Sequence, residues 1–382
     1  MNRNWGVPLI YLDSLASFPI LPEVHDAMCQ SLIEDFANPS ANHELAEQSQ
    51  KKIELVRAQI ADSLDAFPSE IIFTSGATES NNLILKTHAE RALMQGKTPH
   101  IITSKIEHKC ILAICAYLEF RGCEVTYLTP NELGIVSPDS LKEAIKDNTV
   151  LVSLMHVNNE LGTINPIRDY GKICFDQGVP FHSDAAQSYL KTPLNVENDF
   201  VDALSLSAHK IGGPKGIGIA YLRDLRNQDL QPTIHGAGQE FGMRGGTLAT
   251  PLIVGFGAAV EAFSSKYEKT PFAKLKEYFT HELKSREIEF AINGEGQTLD
   301  SCVSVTLPTV DLDGLLRSTH MRYSLSQSSA CSAGSIEPSH VLTTLGFDRA
   351  QAAKTLRISF SFDTKKKDLK ELLEDISHFR EV

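Results

Sequence analysis

Residues 179–218 hold the densest set of side chains able to do chemistry. Two short apolar runs there each end in polar residues. One ends at Asp184. The other, 201–206, ends in Ser207, His209 and Lys210, and Gly212, Gly213, Pro214 and Gly216 follow at once. In an alternating α/β protein the strand ends are where ligands bind. A carboxylate at one strand end and a lysine just past another can grip the two ends of one aromatic cofactor. Pyridoxal phosphate has matching needs: its aldehyde takes a lysine amine as a Schiff base, and its ring nitrogen wants an acid partner. Taken alone, the same residues also read as two buried strands with solvated ends.

The surrounding pattern shows what must position them. Strand signals at 70–74, 100–103, 124–128, 150–156 and 218–222 alternate with helical periodicity at 44–66, 75–94, 109–120, 138–146 and 167–176. Repeated β–α units predict a largely parallel sheet with helices on both faces. Strands ending at Thr74, Thr103, His156, Asp184 and Ser207 then deliver polar residues to one edge. The turn 75–80 (SGATES) opens a helix, a geometry whose free amides suit a phosphate; it also reads as a plain helix cap. The glycine-rich stretch 236–250 reads as a long loop, which in a compact domain is usually functional. A helix is expected at 251–266, and after about residue 259 the pattern becomes smaller and mixed, with helices at 272–285, 311–321 and 366–379 and a strand at 302–307, so a second domain is expected.

The chain has 382 residues, a net charge of −12 and seven cysteines without a CxxC pair. The charge argues against nucleic acid as a direct partner. The cysteine spacing suggests neither a metal site nor a disulfide framework. No apolar run reaches membrane-spanning length and the N-terminus has no signal-peptide pattern, so no membrane association and a cytoplasmic location are expected. Cys331 stands out among the seven. It lies in SSACSAGS, among small polar residues, where a structural cysteine prefers an apolar site.

With the motifs placed, the chain resembles the cysteine desulfurases that supply sulfur for iron–sulfur clusters and thiolated RNA, within the class V aminotransferase group of pyridoxal phosphate enzymes. The matching segments are YLDSLASFP, FTSGATESNN, IITSKIEH, MHVNNELGTINPI, HSDAAQS, SLSAHKIGGPKGIG, SSACSAGS and EPSHVL, in order from Tyr11 to Arg357. The resemblance implies an aspartate-aminotransferase-like α/β fold (fold type I). A large cofactor-binding domain with a mostly parallel sheet covers 17–258. A smaller α+β domain, from 1–16 and 259–382, carries a mobile cysteine loop.

The resemblance also implies roles. Lys210 holds the cofactor covalently and moves the substrate α-proton, and Asp184 pairs with the ring nitrogen. His108 stacks on the ring and assists proton transfer. Asn159 and Gln187 reach the phenolic oxygen and nearby groups, Asn159 also meeting substrate. Ala77, Thr78, Ser207 and His209 hold the phosphate, and Thr247 reaches the phosphate of a neighbouring subunit, so a homodimer is implied. Arg357 clamps the substrate carboxylate. Cys331 accepts the sulfur of L-cysteine as a persulfide, L-alanine leaves, and the sulfur passes to an acceptor protein. No metal is implied.

The residues keep their plainer readings beside these: a helix-capping aspartate, turn-bonding amides, an ordinary salt bridge for the arginine. The chain also departs from the family pattern. Leu15 and Phe18 stand in the N-terminal loop and suggest a bulkier pocket wall. Leu45-Ala46 follows His43, Ser328 replaces a glycine, and the loop around Arg244 and the stretch after Arg357 are altered. Two alternatives stay open: a selenocysteine lyase or other class V enzyme, and a weakly active sulfur-transfer scaffold.

Overall fold

Short runs rich in Ile, Val and Leu, bounded by Gly, Pro and Asn turns, form strands; longer runs with apolar residues three and four apart form the helices between them. The computed structural model describes residues 9–381 except 229, 295, 328–329 and 333–334; at 330–332 and 335–337 it describes the backbone alone. The strands are β1 (Ile10–Tyr11), β2 (Ile71–Thr74), β3 (His100–Ser104), β4 (Glu124–Leu128), β5 (Thr149–Ser153), β6 (Phe181–Asp184), β7 (Ala203–Ser207), β8 (Gly218–Leu222), β9 (Ala291–Ile292), β10 (Cys302–Thr306), β11 (Tyr323–Ser324), β12 (Ser326–Gln327), β13 (Ala330–Ser332), β14 (Ser335–Glu337) and β15 (Thr355–Ser359). The helices used below are α1 (Pro22–Glu34), α2 (Glu44–Asp62), α3 (Ala77–Met94), α4 (Lys109–Phe120), α5 (Pro138–Ala144), α6 (Ile167–Gln177) and α7 (Thr250–Lys269).

The larger sheet has seven strands in the order β2-β8-β7-β6-β5-β3-β4. Only β8 runs against the rest, pairing antiparallel with both β2 and β7. The carboxyl ends of β2, β3, β5, β6 and β7 therefore share one edge, as the strand pattern predicts. One expected end differs. β5 stops at Ser153, and the chain then bends, His156 N donating to Asp184 O.

A second, four-stranded sheet has the order β12-β15-β10-β9 and its own apolar core. Its strand β15 has no counterpart in the sequence reading. An arginine in the middle of TLRIS breaks the apolar run that marks a buried strand, yet all five residues are buried. The expected boundary at 258/259 falls inside α7, a continuous helix. Phe263 near its end lies in the larger core, and Tyr267 packs against both cores. Phe18 and Phe362 meet between the cores with ring centroids 4.7 Å apart.

Two N-terminal departures from the family pattern acquire a different meaning here. Leu15 and Phe18 do not wall a pocket. Leu15 is buried in a small apolar cluster with Val157, Leu299 and Cys302, and Phe18 is buried against Phe263. What this loop presents instead is main-chain carbonyl oxygen.

Candidate active site

Asp184 ends β6 and Ser207 ends the adjacent β7; Lys210 follows in a short 3-10 turn, Ala208–Ile211. Asp184 is 7% exposed. Its Oδ1 accepts from Ala186 N (3.0 Å) and its Oδ2 from Asn81 Nδ2 (2.8 Å). Lys210 Nζ donates to Leu15 O (2.7 Å) and Ala16 O (3.0 Å). Burial, with the positive field of Arg357, lowers this amine to about 8, against the opposing pull of Asp184 and Asp13. A fraction of it is therefore neutral near pH 7, as a nucleophilic or proton-accepting lysine requires.

The start of α3 lies beside these strand ends. Gly76 adopts φ 149° and packs against β8, where a Cβ on Gly218 would stand 2.6 Å from Gly76 Cα. That approach sets the helix mouth against Ser207. The first intrahelical bond here is Ser80 N to Gly76 O, so the amides of Ala77 and Thr78 have no helical partner. Thr78 is exposed and Ala77 half-buried. His209 Nδ1 is 3.3 Å from Ser17 Oγ, and burial lowers its imidazole to about 4.

His108 caps α4, with Nδ1 accepting from Cys110 N (3.2 Å). The residue is open to solvent in part. Burial lowers its pKa, while Asp184 opposes the shift. Gln187 Nε2 donates to Leu15 O (2.9 Å), and its buried Oε1 has no partner among the described residues. Asn159 Oδ1 is likewise buried and unpartnered.

Arg357 reaches this edge from the second sheet. Its Nη1 donates to Asn159 O (2.6 Å) and its Nη2 to Asp13 Oδ1 (2.6 Å). Two other expected site residues lie in a loop and a hairpin. Thr247 is exposed in the 236–250 loop and makes no described hydrogen bond. Cys331 has its backbone in the β13–β14 hairpin, paired with Ile336, and its thiol lies outside the described residues.

The chain is similar to known proteins along most of its length. The model described as aminotransferase class-V matches residues 10–372. A mitosomal cysteine desulfurase of Encephalitozoon cuniculi is 44% identical over 95% of this chain and 85% of its own length. The cysteine desulfurase IscS of Shewanella sp. is 40% identical over 96% and 92%. Among solved structures, one described as SspA in complex with cysteine is 46% identical with a TM-score of 0.83, covering 92% of this chain and 98% of that one. A NifS-like protein gives 0.88 at 33% identity, over 97% and 99%. The chain belongs to the class-V aminotransferases, in their cysteine desulfurase branch.

Members of this branch depend on pyridoxal phosphate. The class-V edge seen here fits that group. It offers a buried carboxylate, an amine of lowered pKa, helix-start amides, and two buried amide oxygens that lack partners. Several residues around it have no mark in the sequence pattern strong enough to single them out. Asn81 orients Asp184, and its position one turn after Ala77 is the one signal available. Glu107, buried between Ser104 Oγ (2.9 Å) and Met155 N (3.0 Å), is raised to about 8 by burial. Lys191 has a buried Nζ with no partner among the described residues, lowered to about 7 by burial and then by Lys210. Arg57 and Glu240 form a buried pair, Nη2 to Oε1 at 2.7 Å and Nη1 to Oε2 at 2.9 Å, which ties the 236–250 loop to α2. Both Glu240 and Phe241 have left-handed backbone, φ 48° and 56°.

Proposed function

We propose that this chain is a pyridoxal-phosphate-dependent cysteine desulfurase that converts L-cysteine to L-alanine and passes the sulfur to an acceptor protein for iron–sulfur cluster or thiolation pathways. The observation that carries the reading is the pairing of Lys210 and Asp184 at the ends of neighbouring strands, with Arg357 arriving from the other sheet. When bound, the cofactor supplies an electron sink for charge developing on the substrate.

The chain's own groups do the rest. Arg357 binds the substrate carboxylate with its planar guanidinium. The amides of Ala77 and Thr78, with Ser207 and His209, hold the phosphate. Asp184 keeps a proton on the ring nitrogen, and Asn81 fixes the carboxylate for that task. Asn159 and Gln187 offer their free amide oxygens to the remaining polar groups. His108 packs on the ring face and assists proton transfer. Lys210 Nζ takes the α-proton and returns one to carbon.

Cys331 acts as thiolate and attacks the substrate sulfur. A sulfur–sulfur bond forms as the carbon–sulfur bond breaks, and that bonding pair stays with carbon. Carbon takes a proton and leaves as alanine; the enzyme keeps the persulfide. No outside oxidant is needed.

Thr247 serves the phosphate of a second copy, so the working form is a homodimer. Its exposure supports this, as do Leu32, Ile33 and Phe36, exposed at the end of α1 and just beyond it. The division into a large domain at 17–258 and a smaller one from the remainder is part of this reading; the two separate cores support it, although Ala259, Val260 and Phe263 of α7 pack in the larger one. Among the described residues no helix is long and apolar enough to cross a membrane. The six described cysteines are free thiols, which suits a reducing compartment such as the cytoplasm. Intact mass after cysteine addition tests the reading: wild type gains one sulfur, located at Cys331, and releases alanine. A Cys331→Ala protein that still gains sulfur and turns over normally would overturn it. Selenocysteine offered alongside cysteine tests the lyase alternative.

A further inference from the structure

We propose that Cys110 is a positioning residue whose S–H donates to Nδ1 of His108 and holds the imidazole as its neutral Nε2–H tautomer. This rests on the reading of His108 as an active-site residue.

The directions of the hydrogen bonds fix the argument. Cys110 N–H is 3.2 Å from His108 Nδ1 and can only donate, so Nδ1 accepts and carries no proton. Cys110 Sγ stands 3.0 Å from the same nitrogen. Two neutral acceptors do not attract each other, so the thiol hydrogen must lie between them. Sγ in turn accepts from Asn81 Nδ2 at 3.2 Å, and the Thr78 hydroxyl also reaches it. The orientation of Asn81 is not free. Its Nδ2 also faces Asp184 Oδ2 at 2.8 Å, and a carboxylate only accepts. The chain Asp184–Asn81–Cys110–His108 is thus consistent at every link, one amide serving the ring-nitrogen acid and, through the thiol, the imidazole.

The thiol is suited to stay a donor. Burial, with the nearby Asp184 carboxylate, raises it to about 11, so it keeps its proton at neutral pH and does not compete as a sulfur acceptor. The charged groups facing His108 are Asp184, which favours protonation, and Lys210, His340 and Lys109, which oppose it. A donor at Nδ1 adds to the opposition, because imidazolium has no lone pair there. His108 so held can donate from Nε2 or stack, but it cannot take up a proton at Nε2.

Nitrogen-15 NMR of histidine-labelled protein, with and without cofactor, tests this, using His108→Gln to assign the signal. In wild type the His108 Nδ1 should show the shift of an unprotonated ring nitrogen. In Cys110→Ala only the backbone amide still donates to Nδ1, so the Nδ1–H tautomer should gain a share and the His108 pKa should rise by roughly half a unit to one unit, the worth of one hydrogen bond. Cys110→Ser, which keeps a donor, should restore most of the wild-type behaviour. A wild-type ring protonated at Nδ1, or a Cys110→Ala spectrum and titration identical to wild type, would overturn the proposal. A His108 signal that keeps its tautomer yet ignores added cofactor would instead count against the function proposed above.

Discussion

The two sheets divide the work unequally. The larger one holds its polar residues where strands stop: Asp184 and Ser207 end paired neighbours β6 and β7, and α3 starts just past β2. Their spacing follows from sheet geometry, about 4.8 Å between strands. Outside the larger sheet, Arg357 stands in the middle of a strand, β15 of the four-stranded sheet, and Cys331 in the separate β13–β14 hairpin. A cofactor that must be held rigidly calls for the first arrangement. A substrate that arrives, reacts and leaves is better met by groups on a separate core, joined to the first through contacts such as His340 Nε2 with Glu107 O and Phe18 with Phe362.

Substitutions on the two sides should therefore fail differently. Lys210→Ala should lower alanine release by about 10³-fold or more, the combined loss of covalent anchoring and proton transfer; a protein that stays yellow and active would break the contrast. Next in size is a structural effect on the larger side. Arg57→Ala leaves Glu240 buried and unpaired and should cost about 3–5 kcal/mol of stability, read as a fall in urea midpoint with little change in slope. On the smaller side, Arg357→Lys should raise KM about ten- to a hundredfold through loss of a bidentate contact, while kcat changes less. A drop in kcat with unchanged KM would place Arg357 with the rigid set instead.

A last set of effects comes with pH. Burial lowers His156 and His209 to about 4 and His182 to about 3, from an ordinary 6.5. Between those values the unfolded chain binds protons that the folded chain refuses, so stability is full above pH 6.5 and declines as pH falls towards 4. Urea midpoints at pH 7.5, 6 and 5 should fall in that order. Lys210 has the same direction of shift higher up. Its neutral fraction grows as pH rises through about 8, so cofactor uptake by the bare protein should quicken across that value and level only well above it.

Legibility tracks the same division. Strand ends of the larger sheet are readable because β–α alternation and a run of glycines mark them, and that pattern alone is enough to locate Asp184 and Lys210. β15 is not readable, since a buried arginine contradicts the apolar rule and only its partners Asp13 and the Asn159 carbonyl explain it. The packing of Leu15 and Phe18 is hidden for a related reason. Side-chain size says nothing of which way a loop turns, and here it is the carbonyls of Leu15 and Ala16 that receive Lys210. The Asn81–Cys110–His108 links are three residues from two helix starts, and no periodicity brings them together.

Arg357 meets Asp13 before any substrate arrives. If Arg357 takes the substrate carboxylate as proposed, recognition at this contact is an exchange, one carboxylate evicting another, and not capture by an idle cation. The net grip is the difference between two similar ion pairs. Alanine carries the same carboxylate as cysteine, so on that reading Asp13 loosens the hold on substrate and product alike.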